Sequence, residues 1–132
     1  MTPDDEFLRA FFGLGLLNAE FRHRDHLRLA WLAVRRHGGG AAEEVVTKGI
    51  QRFAHHHSHG PAYHDTMTRF WVRLVAHAVS QRPEIVDFEE FLAAYPLLLD
   101  KNTPLRHWSR EAMFAPDARA EWRDPDLVAL PF

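Results

Sequence analysis

The stretch that decides the fold runs from Tyr63 to Gln81 and reads YHDTMTRFWVRLVAHAVSQ. It contains neither glycine nor proline, and its apolar residues recur every three or four positions, which is the spacing of a helix with one buried face. Arg69, Arg73 and His77 interrupt these residues, and such side chains are costly at the centre of a bilayer. The stretch therefore predicts the central helix of a water-soluble protein. Its apolar stripe consists of Met67, Phe70, Trp71, Leu74, Val75 and Ala78.

Helix breakers on the N-terminal side of this stretch separate three further helices. Three glycines at 38–40 divide a helix of about residues 24–37 from one of about residues 41–56. The sequence Ser58-His59-Gly60-Pro61 then ends the latter helix. At the start of the chain, Thr2 is expected to cap a first helix that continues to about residue 18.

The C-terminal third of the chain predicts shorter helices. Asp87 is followed three residues later by Glu90, which resembles a capping box and begins a short helix. A proline after a cap residue also begins a helix of about residues 104–114, and Pro116 opens a last turn or two. Residues 124–132 are expected to form an irregular tail.

The predicted fold class is all-α. Alternating patterns typical of strands are absent over any useful length. With 132 residues, the chain is expected to form a compact single-domain bundle of five to seven helices over residues 1–132. Short loops make successive helices antiparallel, so the second, third and fourth helices should form an up-down-up unit. That unit would bring His26 and His64 close together.

The composition narrows the classes of function. The 16 basic and 18 acidic residues give a formal net charge of −2, so neither nucleic acid nor an anionic membrane is expected as a partner. The sequence has no cysteine, which excludes disulfides, thiolate metal sites and a cysteine nucleophile. The acidic N-terminal segment and the interrupted central stretch predict no signal peptide and no membrane span, hence a cytoplasmic protein.

Histidine is the outlier of the composition, with ten residues, and the predicted topology gathers most of them at one end of the bundle. The second helix begins at that end, the third ends there and the fourth begins there. His37 and His77 would lie at the opposite end. The residues expected together are His23, His26, the run from His55 to His59, Tyr63, His64, Asp65 and, if the fifth helix returns to this end, His107, Ser109 and Glu111.

This cluster predicts a metal site, because neutral imidazoles with one carboxylate suit a divalent Fe, Zn, Cu or Ni ion. His26 and His64 are the expected ligands, since each lies on an otherwise apolar helix face. The third ligand would come from the same end of the bundle and would be His23, His107 or Glu111. His107 and Glu111 share a face of the predicted 104–114 helix. Polar neighbours would act in catalysis on a small-molecule substrate: Tyr63, Asp65 and Ser109.

Two other functions fit the same residues. A module that binds a small molecule or a protein without metal would use the polar cluster to hold an anion, while its histidines stay structural. A metal-free enzyme would use His64 as an acid or base together with Tyr63 or Asp65. The run from His55 to His59 is expected to be a solvated helix end without a role in the site. A homo-oligomer is also compatible with the sequence.

Several motifs resemble those of a group of small uncharacterised bacterial all-helical proteins. The stretch Phe21–Leu27 reads FRHRDHL and fits F-x-H-x-x-H-L, while Tyr63–Thr68 reads YHDTMT and fits Y-H-[ED]-T-x-T. Ser109-Arg110-Glu111 and Pro125-Asp126-Leu127 extend the resemblance towards the C-terminus. Asp65 stands where a glutamate is expected. The resemblance implies that His26 and the Tyr63-His64 segment belong to one pattern, and it implies no substrate or cofactor.

Overall fold

Seven α-helices and no strand make up the regular structure of the protein, in a computed structural model that describes residues 1–132. The all-α class is confirmed, with the helix number at the upper end of the predicted range. The helices are α1 Pro3–Phe12, α2 His23–His37, α3 Gly39–His56, α4 Asp65–Gln81, α5 Phe88–Ala94, α6 Arg110–Met113 and α7 Pro116–Ala120. Single 3-10 turns lie at Asn18–Glu20, Gly60–Ala62, Pro96–Leu99 and Thr103–Arg106. None of the helices has the length and apolar character needed to cross a membrane.

The centre of the molecule is the unit of α2, α3 and α4, each of which packs against the other two. Gly38, the single residue between α2 and α3, has a φ of 82°, a conformation that glycine adopts without strain. The start of α3 lies beside the end of α4, since a Cβ placed on Gly39 would be 3.3 Å from the Cβ of Ala76. Neighbouring helices are therefore antiparallel, as predicted.

The central helix α4 is buried on two sides rather than along one stripe. Val72 and Val75 belong to the main core with α2 and α3, whereas Phe70 belongs to a smaller core with Trp108 and Met113. Trp71, which the pattern assigned to the buried stripe, is only partly buried. A helix with partners on two faces buries a broader surface than a 100° stripe.

The first helix is shorter than its sequence predicts. Thr2 caps it as expected, with its hydroxyl accepting a bond from the amide of Asp5 at 3.1 Å. The helix ends at Phe12 rather than near residue 18, because Leu14 adopts a left-handed φ of 61°. The amide of the next residue, Gly15, then bonds back to the carbonyl of Ala10 at 2.7 Å, which is the closing bond of a Schellman motif.

The predicted helix of residues 104–114 is wrong. A 3-10 turn ends at Arg106, and α6 begins only at Arg110. Ser109 between them is extended, with φ −64° and ψ 158°, and its hydroxyl accepts a bond from the amide of Ala112 at 3.1 Å. A serine that caps a new helix competes with continuation of the old one, so the segment breaks in two.

The C-terminal tail has no regular secondary structure, as predicted, yet it is tied to the segment before α6. The carboxylate of Asp126 accepts bonds from the amide and the hydroxyl of Ser109 at 2.7 and 2.6 Å. The amide of Leu127 donates to the carbonyl of His107 at 2.9 Å. The Phe132 ring reaches His77 near the end of α4, with 5.5 Å between the ring centroids. The tail thus follows the outer side of α4.

Candidate functional site

A cavity of about 540 Å³ opens where the start of α2, the end of α3 and the start of α4 meet. Eleven of its 18 lining residues are hydrophobic, and a mainly apolar wall with a few polar groups is typical of a small-molecule site. The polar lining residues, with the phenol of Tyr63, are Asn18, His23, His26, His59, His64, Thr68 and Lys101. The predicted convergence of three helix ends is therefore confirmed.

His26 is a partly buried histidine of the cavity wall whose ring makes no hydrogen bond to a side chain. Its imidazole stacks on Phe21, with the two ring centroids 4.1 Å apart. Burial is the main cause that lowers the pKa of His26 to about 4. The ring is thus neutral at pH 7, and a neutral imidazole has one N–H and one lone pair. No N–H or O–H group of the protein donates to the ring, so its lone pair has no partner.

His23, at the first position of α2, is held by a backbone carbonyl. Its Nε2 lies 2.8 Å from the carbonyl oxygen of Leu98 and must donate, because a carbonyl only accepts. The ring also meets Trp71 edge-on, with the centroids 4.6 Å apart. Burial lowers the pKa of His23, and the charge of Lys101 acts in the same direction. His23 is therefore a neutral ring whose Nδ1 carries the lone pair.

His64 lies at the predicted place, but both of its ring nitrogens are already bonded. It is the N-cap of α4, and its Nδ1 accepts a bond from the amide of Met67 at 3.1 Å. Its Nε2 donates to the carbonyl oxygen of Met113, so the ring joins α4 to α6. Burial lowers the pKa of His64, which favours the neutral tautomer that this double role requires. A metal at His64 would have to displace one of these two partners.

Tyr63 and Asp65 form a pair at the start of α4. The Tyr63 hydroxyl donates to Oδ1 of Asp65 at 2.8 Å, and Nε of Arg69 donates to Oδ2 of the same carboxylate at 2.8 Å. Burial, together with the bond to Asp65, raises the pKa of Tyr63, so the phenol keeps its proton. Asp65 is buried with both oxygens engaged, and it positions Tyr63 rather than facing the cavity itself.

The three predicted site residues near α6 do not reach the cavity. His107 follows a 3-10 turn and its Nδ1 bonds to the carbonyl of Val128 at 2.9 Å. Ser109 caps α6, and Glu111 is exposed. The shared helical face expected for His107 and Glu111 is absent because the helix that would carry both does not form. No group of three or more His, Asp or Glu side chains is arranged to hold a metal ion.

Sequence reasoning missed two residues of the cavity and gave a third no role. Lys101 and Asn18 line it but lie in connecting segments without any pattern that marks them. His59, predicted to have no role, also lines the cavity. Within the same histidine run, His57 bonds to the carbonyl of Leu16 at 3.1 Å. The path of the loops, rather than helix periodicity, brings these side chains to the site.

Comparison with known proteins finds no matching family model, curated protein or solved structure. The resemblance to small bacterial helical proteins therefore stays a prediction that depends on short motifs. The chemistry of the cavity is the basis on which a function can be proposed.

Proposed function

We propose that the protein binds a small organic molecule in the cavity between α2, α3 and α4, without a metal ion. The observation that carries this proposal is a mainly apolar cavity of about 540 Å³ whose wall holds a neutral His26 with an unpartnered ring nitrogen. Pockets of roughly 300–1,000 Å³ with a few polar groups are the usual form of a small-molecule site.

The hydrogen bonds of the three histidines favour a ligand over a purely structural role. Polar groups that serve only the fold find partners inside it. His23 bonds to Leu98, and His64 bonds to Met67 and Met113. His26 differs because it lines the cavity and no group of the protein donates to its ring. A ligand with a polar group would satisfy that nitrogen.

Ligand-observed NMR with a set of small aromatic and aliphatic fragments tests the proposal. Ile50, which lines the cavity from α3, would be replaced by tryptophan to fill it. The matched control is Ala41→Trp, at an exposed position of the same helix outside the cavity. We expect fragments that bind the wild type and the control but not Ile50→Trp. The proposal is wrong if no fragment binds the wild type, or if the filled variant binds equally well.

A metal-dependent enzyme is the second candidate, because three of the predicted ligands, His23, His26 and His64, line one cavity. The ion would be Fe, Zn, Cu or Ni, and Tyr63 would be the nearby group to meet a substrate. This function requires His64 to exchange a backbone partner for the ion. Metal analysis after loading and dialysis tests it: a stoichiometric ion that His26→Gln loses would support this candidate over the first.

Metal-free acid–base catalysis has less support from the geometry. The predicted catalyst, His64, uses both ring nitrogens within the fold. His26 has a free nitrogen, but a pKa of about 4 makes it a poor base near pH 7.

We also propose a cytoplasmic location, because a chain without cysteine has no disulfide to lose in a reducing compartment. A homo-oligomer stays a proposal as well. Size-exclusion chromatography with light scattering tests the oligomeric state.

A further inference from the structure

The partly buried polar groups of the cavity wall offer hydrogen-bond acceptors to a ligand. His23 gives its Nε2–H to Leu98, so its Nδ1 can only accept. The neutral His26 ring stacks on Phe21, and it keeps a nitrogen lone pair to which no group of the protein donates. Both histidines therefore present acceptors.

The two hydroxyl groups of the cavity wall also donate their protons to other groups of the protein. The Tyr63 hydroxyl donates to Asp65, and the Thr68 hydroxyl donates to the carbonyl of His64, each at 2.8 Å. Each hydroxyl has a single proton, so only oxygen lone pairs remain for a ligand.

Hydrogen-bond donors lie at the exposed rim instead. Asn18, His59 and Lys101 line the cavity and are exposed, whereas the four acceptor residues above are only partly so. Lys101 is the single formally charged lining residue, and no Asp or Glu lines the cavity. Lys101 also makes no ion pair. A cationic ligand would meet this positive charge without a carboxylate in the wall to offset it.

We propose that the ligand is a neutral hydroxyl-bearing aromatic molecule, of the phenol class, whose O–H donates to the free nitrogen of His26. The proposal rests on the function proposed above and names its ligand class. A buried acceptor left without a donor weakens binding, so a site of this polarity selects a ligand that brings a donor to its inner part. The Lys101 ammonium at the rim disfavours amines.

The aromatic body follows from the composition of the wall. Phe21, Phe53 and Trp71 line the cavity, and Phe21 and Phe53 already pack together with their ring centroids 4.9 Å apart. Rings added to such a cluster gain offset or edge-to-face contacts in addition to burial of their area. Ile50 and Met67 supply the remaining apolar contacts.

Three probes of matched shape test the proposal by NMR titration at pH 7: 4-ethylphenol, 4-ethylanisole, which lacks the donor, and 4-ethylbenzoate, which is an anion. We expect the phenol to bind about 10-fold more tightly than the anisole, which is the effect of one unpaired buried acceptor. We expect the benzoate to bind more weakly than the phenol. The His26→Phe variant keeps a ring on Phe21 but removes the acceptor, and it should bind phenol and anisole within about 3-fold of each other.

The wild-type comparison decides the proposal even if His26→Phe fails to fold. Equal binding of phenol and anisole, or tightest binding of the benzoate, would overturn it. Thr68→Val, which removes a hydroxyl but keeps the shape, should reduce the preference for the phenol less than His26→Phe does; a larger reduction would assign the donor contact to Thr68 and overturn the role of His26. Fragments that bind the wild type but not Ile50→Trp, in the absence of a phenol preference, would leave the binding function standing and refute only the ligand class.

Discussion

The two faces of α4 use histidine in opposite ways. Towards the outer face, His64 touches the cavity but caps the helix and bonds to the carbonyl of Met113, so neither ring nitrogen is free. On the inner face, His26 meets α4 across a cavity and keeps one nitrogen without a partner. Both residues occupy apolar surroundings, and sequence reasoning assigned both the same role. The difference shows that the partners of a buried histidine, rather than its burial, separate a structural ring from one available to a ligand.

The largest effect should follow from His64→Ala. The substitution removes an N-cap and leaves a buried carbonyl of Met113 without its donor, which together cost about 2–4 kcal/mol in the free energy of unfolding. Urea denaturation measures the change. His26→Ala should cost less, because the ring loses its stacking contact with Phe21 but no hydrogen bond.

His64→Asn is the matched control for the cap alone. Asparagine is a good N-cap but is too short to replace the imidazole at Met113, so it should recover part of the loss. If His26→Ala proves as destabilising as His64→Ala, the division between the two faces is wrong.

The next largest effect concerns pH. Burial holds the pKa of His26 at about 4 in the folded protein, whereas an unfolded histidine titrates near 6.5. Between these values the unfolded chain binds a proton that the folded chain does not. The free energy of unfolding therefore falls as the pH falls, by up to about 1.4 kcal/mol per unit for one such group.

Urea titrations at several values between pH 6.5 and 4 measure this slope. His26→Phe should flatten it, while the remaining slope reports His23 and His64, whose pKa values burial also lowers. His55→Phe, at an exposed position, should keep the wild-type slope. An unchanged slope in His26→Phe would contradict a neutral, buried His26.

Ser109→Ala should have a moderate effect on stability, on the outer face alone. The loss of the α6 cap costs about 1 kcal/mol, and the loss of the hydroxyl contact to Asp126 loosens the tail. Hydrogen exchange should quicken at the amide of Leu127, which bonds to His107. Glu111→Gln, an exposed neighbour, serves as the control. Binding in the cavity should not change, and a loss of fragment binding in Ser109→Ala would instead support its predicted place in the site.

The smallest effect is expected for His55→Gln and His56→Gln. Both side chains are exposed and form no hydrogen bond, and His56 only meets His57 edge-on, so the free energy of unfolding should stay within about 0.5 kcal/mol of the wild type. His59→Gln, at the cavity rim, is expected to alter fragment binding without altering stability. If thermal unfolding and fragment binding were the same for all three variants, His59 would have no part in the site.

The sequence predicts the parts of the fold that local chemistry determines. Thr2 and Asp87 cap their helices as expected, because a cap depends on residues three positions away. Gly38 marks the reversal between α2 and α3, since its conformation is open chiefly to glycine. These local signals were sufficient to bring His23, His26 and His64 to one cavity.

The errors arise where distant residues decide the local structure. The predicted 104–114 helix breaks at Ser109, whose amide is bound by Asp126 from 17 residues further along the chain. Leu14 ends α1 in a left-handed conformation, which no propensity of leucine suggests. The second partner of His64, Met113, lies 49 residues away. Periodicity can place a side chain on a face, but it cannot identify such partners.

The two bonds of His64 also differ in when they can form during synthesis. The Nδ1 bond to Met67 closes as soon as the first turn of α4 exists, whereas the Nε2 bond waits until Met113 has been added. Every helix that lines the cavity precedes Met113 in the chain. A chain that stops before Met113 would therefore still contain every element of the cavity wall, but the imidazole of His64 would lack its second partner.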